Sequence, residues 1–217
     1  MTANNECPIC KKRKGARFCP ALGQTICAIC CGTEREVSID CPADCTYLIS
    51  AHRYELQHHK PLVASDIPFR DVSYPPDLIH EFRPVVSGLA YAVLKAADEN
   101  PSATDPDALA ALQAIAETYR TLGSGLYYEK PPPGAPPQAI YASLAKFLED
   151  FKQKSADQPG APRLADTKIF YLLVFLFRVG KQQTNARPRA RIFIEFLRTQ
   201  FPKMTQPQAE PSRIIVP

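Results

Sequence analysis

Residues 7 to 45 read CPICKKRKGARFCPALGQTICAICCGTEREVSIDCPADC and hold every cysteine of the 217-residue chain, eight in all. A thiolate is a soft, charged donor suited to Zn²⁺, and a closed structural centre takes four donors at the corners of a tetrahedron. Eight thiols therefore supply two sets. Cys7 and Cys10 make one C-x2-C knuckle and Cys27 with Cys30 a second, at zinc-ribbon spacing, and these four are expected to form site one. Cys19, Cys31, Cys41 and Cys45 are left for site two, with Cys41 and Cys45 four residues apart and both thiols facing one metal from a helix start. The adjacent Cys30 and Cys31 point in different directions, which suits two ions, whereas a disulfide between neighbours would be strained. Gly32 is expected to let the chain turn sharply after them.

A module of about 40 residues buries too little apolar surface to fold alone, while each structural zinc contributes on the order of 10 kcal/mol. Two zinc ions are therefore expected to decide whether this part folds. No C-x2-C-x2-C run points to an iron–sulfur cluster. A zinc–thiolate redox sensor would use the same residues and stays open as an alternative.

The N-terminal knuckle, the interleaved ligands and the final pair entering a helix resemble the treble-clef and cross-brace zinc modules, such as B-box and HIT-type fingers, over residues 7 to 45. The resemblance implies a zinc-finger scaffold that binds, most often to protein partners. Here Cys19 stands alone and the last pair is C-x3-C, where those families place C-x2-C pairs or mixed cysteine and histidine.

Working outward, residues 1 to 60 read as this module with an exit helix, and 61 to 76 as a linker punctuated by Pro61, Pro68, Pro75 and Pro76. Residues 77 to 201 read as an α-helical domain and 202 to 217 as a loose, proline-rich tail. The fold class is thus mainly α, a small two-zinc module followed by a bundle of about five helices. Leu78, Ile79, Phe82, Val85, Val86, Leu89, Val93 and Leu94 recur at helical spacing, with a break near Phe82 forced by Pro84. Asp105 is expected to cap the next helix, with Pro106 in its first turn and Leu109, Leu112, Ile115, Tyr119 and Leu122 on one face. A third helix after the Pro131–Pro137 tract carries Ile140, Tyr141, Leu144, Phe147 and Leu148. Residues 165 to 179 are apolar all round and read as a central helix, with Gly180 placed to end it. A last helix spans about Arg189 to Phe201.

The balance of 26 basic and 22 acidic residues leaves a net charge of +4, too small for a general polyanion field. Local basic edges remain: Lys11, Lys12, Arg13, Lys14 and Arg17 on the module, and Arg187, Arg189 and Arg191 near the end. Either could contact nucleic-acid phosphates, and a nucleic-acid-binding regulator is the alternative function. The bland account is that the first cluster offsets the thiolates and the second is a solvated helix side. His52, His58, His59 and His80 lack the paired E-x-x-H motifs of a di-iron site, and no phosphate-cradling loop, nucleophile elbow or paired-carboxylate motif occurs. No signal peptide is evident at the start, and no apolar run is long enough for a bilayer. The expectation is a non-catalytic, cytoplasmic zinc protein that acts as an interaction adaptor, with a protein partner, no membrane and no small-molecule substrate.

Overall fold

The computed structural model describes residues 6–58, 63, 67–157 and 164–202. The expected tail beyond Pro202 and part of the 61–76 connection lie outside the described residues. The chain is mainly helical, with eight helices and one two-stranded sheet among the described residues.

The sheet belongs to the cysteine-rich part. Strands β1 (Arg17–Cys19) and β2 (Gln24–Ile26) pair antiparallel, with Phe18 opposite Thr25, and Gly23 in the connection takes a left-handed φ of 62°. Helix α1 (Ala28–Glu34) starts at Cys27, whose sulfur accepts the Cys30 N–H at 3.4 Å, so the second knuckle is the first turn of a helix. Gly32 therefore lies within α1 rather than at a turn, and the chain reverses later, at Glu36 with φ 55°. Helix α2 (Thr46–Gln57) is the exit helix, with Cys45 at its N-cap.

The remaining helices pack into one core. A single turn, α3 (Leu78–Glu81), ends at Phe82, where α4 (Arg83–Glu99) begins with Pro84 in its first turn. That is the expected break, because a proline in the first turn sacrifices no helical hydrogen bond. Helices α5 (Asp105–Gly123) and α7 (Asp166–Gln183) form the central pair, α6 (Ala135–Asp157) lies against α4 and α5, and α8 (Ile192–Gln200) crosses α4, α5 and α7. The apolar stripes meet at Leu89, Leu94, Leu112, Ile115, Ile140, Leu144, Leu148, Leu172, Leu173 and Phe193, all essentially solvent-free. Helix α6 starts inside the proline tract and takes Pro136 and Pro137 into its first turn.

Two local expectations change in this setting. Gly180 does not end α7, which continues to Gln183. A Cβ there would lie 2.8 Å from Leu109 Cδ2 and 3.0 Å from Phe193 Cε1, so the glycine lets α5 and α8 close against α7. Asp105 does not cap its own helix. Thr104, in extended backbone, is the N-cap, and its N–H donates to Asp107 Oδ2 at 2.9 Å. This frees the Asp105 carboxylate, which is 0% exposed, to accept from the N–H groups of Phe193 and Ile194 at 3.0 and 3.2 Å and from Thr184 Oγ1 at 2.9 Å. Asp105 thus caps α8 from outside and ties α5 to the 184–191 segment.

Candidate metal centre

The sulfurs of Cys7, Cys10, Cys27 and Cys30 all lie within 4.8 Å of one another. Four sulfurs about 2.3 Å from one zinc would stand roughly 3.8 Å apart at tetrahedral corners, and Cys10 Sγ and Cys27 Sγ are 4.0 Å apart. The donor set fits a structural zinc. The first knuckle owes its shape to short-range bonds: Cys7 N–H donates to the Arg13 carbonyl at 2.7 Å and Lys11 N–H to the Cys7 carbonyl at 2.8 Å. Lys11 takes a left-handed φ of 51° to close this turn.

The electrostatics of Cys7, Cys10 and Cys30 show how closely these thiols act on one another. Burial works against ionising Cys7, yet the N–H groups of Cys10, Cys27 and Ile9 face its sulfur, with the Cys30 thiol, and bring it down to about 6. Cys10 is likewise lowered, first by the Lys12 N–H, against burial. Cys30 is pushed up to about 12 by burial and then by its neighbours Cys27, Cys10 and Cys7. Stacked thiolates repel one another, so four of them need a cation between them. The guanidinium of Arg13 faces Cys27 Sγ, and this bond holds its pKa above the ordinary value.

Cys19, Cys31, Cys41 and Cys45, expected as a second set, are not gathered so tightly. The first four thiols are the one group of three or more potential ligands within such a distance among the described residues. Cys19, Cys31 and Cys41 do pack into the same small core with Ile26 and Ile39. Burial pushes the Cys41 thiol up, and the charges of Cys45, Cys19 and Glu36 add to that against the Glu36 N–H.

The two basic edges part company. Lys11, Lys12 and Lys14 are exposed on the first turn, and Arg17 lies 4.8 Å over the Tyr47 ring. The second cluster is instead a clamp. Arg187 Nη1 donates to the carbonyls of Gly32 and Arg35, Arg189 N–H donates to the Glu36 carbonyl at 2.9 Å, and Arg191 pairs with Asp40 at 2.9 Å while donating to the Ala103 carbonyl. Beside them Glu36, only 2% exposed, accepts from Asn185 Nδ2 at 3.0 Å and is bonded to His52 Nε2 at 3.0 Å. Burial alone would raise the Glu36 carboxyl, but His52, through its bond and charge, and Asn185 hold it below the ordinary value. Sequence reasoning did not find this seam between the cysteine module and the bundle.

No family model, curated protein or solved structure matches this chain, so the module is described by its own geometry: a cluster of four cysteines at metal-binding distance in front of a helical bundle.

Proposed function

We propose that the protein is an intracellular, non-catalytic interaction adaptor whose N-terminal part is a zinc module with a treble-clef-like course. The observation that carries the proposal is the closed set of four thiols, Cys7, Cys10, Cys27 and Cys30, which fills a tetrahedral zinc and leaves it no open position for substrate. A second zinc on Cys19, Cys31, Cys41 and Cys45 completes the module in this reading, supported by the common core that three of them share. A metal fixed this way holds shape, and the shape presents apolar residues to solvent: Phe18 is 60% exposed and Ile29 53%, with Ile9 and Leu22 also open.

The test compares partner recovery by the full chain, by the chain stripped of metal with a chelator, and by a Phe18→Ser, Ile29→Ser double variant that still holds its metal. Loss of the same partner from both altered forms supports an adaptor surface on the module. Partner recovery unchanged in both refutes it. Nucleic-acid contact is the second reading, favoured by the exposure of Lys11, Lys12 and Lys14, none of which forms an ion pair among the described residues. Affinity for DNA or RNA that does not fall steeply with added salt removes phosphate contact as its basis. No described helix is long and apolar enough to cross a membrane.

A further inference from the structure

A cleft of about 510 Å³ opens in the bundle between α5 and α6 under the 127–129 segment. Three tyrosines line it, Tyr119, Tyr127 and Tyr141, together with Glu129, Glu149 and Lys152. The carboxylate of Glu129 is held in place from two sides, by the hydroxyl of Tyr141 at 2.8 Å and by that of Tyr127. A carboxylate offers about four acceptor positions, so two hydroxyl donors leave room for a further donor from a ligand. Both tyrosine hydroxyls draw the Glu129 carboxyl below its ordinary value, which keeps it charged.

The charges select the ligand. Lys152 is already matched: its ammonium lies 2.6 Å from Asp166 and 4.7 Å over the Tyr119 ring. Glu129 and Glu149 then leave the cleft net negative, and an anion is excluded. Ring faces beside a carboxylate attract an organic cation with an apolar stem, the arrangement that Lys152 and Tyr119 already display within the chain. The mouth adds a reason to expect a polypeptide. Leu126, Tyr127 and Tyr128 are consecutive, and Tyr127 is 67% exposed, so a ligand residue entering the cleft would find apolar surface for its neighbours.

We propose that this cleft binds a lysine or arginine side chain of a partner protein, seated against Glu129 and the rings of Tyr127 and Tyr141. The site belongs to the helical part and does not depend on the cysteine module being an interaction surface. A free polyamine carries the same alkylammonium chemistry, and the test separates the two sources.

The metal-loaded full chain is titrated with acetyl-Leu-Lys-Leu-amide, acetyl-Leu-Arg-Leu-amide, spermidine and acetyl-Leu-Glu-Leu-amide, following the backbone amide resonances of residues 125 to 129. The expected result is saturable binding of at least one cationic tripeptide, tighter than spermidine, with no binding of the glutamate peptide. Glu129→Gln should weaken the cationic tripeptide at least fivefold and Tyr127→Ala at least threefold. Both positions are exposed, so both variants should keep the unfolding midpoint of the parent chain. The proposal is overturned if neither cationic tripeptide binds, if both variants bind as the parent does, or if spermidine binds more tightly than either tripeptide, which would assign the cleft to a free polyamine.

Discussion

Replacing Asp105 by alanine removes the acceptor for two buried N–H groups at the start of α8 and for the Thr184 hydroxyl. An unsatisfied buried donor costs about 1–3 kcal/mol, and loss of a helix cap typically about 1 kcal/mol. Against this stands the cost of burying the carboxylate itself, visible in a pKa that burial raises despite the Phe193, Ile194 and Thr184 donors. The net loss should be about 3 kcal/mol, a midpoint drop of roughly 6–12 °C for a chain of this size. Asp105→Asn keeps one acceptor oxygen and should lose about half as much. The sign with pH follows from the raised pKa: the folded state holds the Asp105 proton more tightly than the unfolded state. Its stabilising contribution is therefore largest below the unfolded value and falls as pH rises through the folded value, so the alanine deficit should widen as pH drops from 7 toward about 4. Thermal unfolding followed by circular dichroism at 222 nm measures this. An alanine variant within about 0.5 kcal/mol of the parent at pH 7 would refute the role given to Asp105, because that is the range of an inert surface change.

Gly180→Val should destabilise by about 1–3 kcal/mol through overpacking, since even a Cβ would stand 2.8 Å from Leu109; urea unfolding measures it, and a neutral result would mean that α5, α7 and α8 do not close so tightly. Glu36→Gln should weaken the seam by about 1–3 kcal/mol at pH 7. Because the Glu36 carboxyl is held low, its contribution is present above the ordinary carboxylate value and disappears as pH falls through the folded one, so parent and variant should converge in acid. Unfolding midpoints at pH 7 and pH 3 check this, and a gap no smaller at pH 3 than at pH 7 would contradict it.

How much of the molecule the sequence discloses depends on how far apart the partners lie. The four-cysteine cluster was legible because each knuckle is a local turn, and C-x2-C spacing is the geometry of that turn. The helices were legible because apolar residues such as Leu109, Leu112 and Ile115 repeat at one period, and Pro84 marks its break for reasons of backbone sterics alone. Asp105 and Gly180 carried correct signals with the wrong beneficiaries. An aspartate before a proline does cap a helix, but α8 is that helix, 88 residues further on. A glycine near a helix end does answer a steric demand, but the demand comes from Leu109 and Phe193 across the core. The seam left no local trace at all. Asn185 meets Glu36 across 149 residues, and nothing near Arg187 marks it as a donor to the carbonyls of α1 rather than to solvent. The second set of cysteines carries no such local signature: ligand counting alone grouped Cys19, Cys31, Cys41 and Cys45, and the cluster whose sulfurs lie within 4.8 Å of one another among the described residues is the first four.

Metal content with X-ray absorption on the purified full chain bears most directly on the whole account. At least one zinc per chain is expected, in a shell of four sulfurs at about 2.3 Å, with a second ion bringing the content to two if Cys19, Cys31, Cys41 and Cys45 close around it. A Cys7→Ser, Cys27→Ser double variant should lose the ion of the first centre together with the ordered amide resonances of residues 7 to 34. A chain that keeps those resonances while carrying no transition metal, or that binds zinc through nitrogen and oxygen alone, would contradict the account.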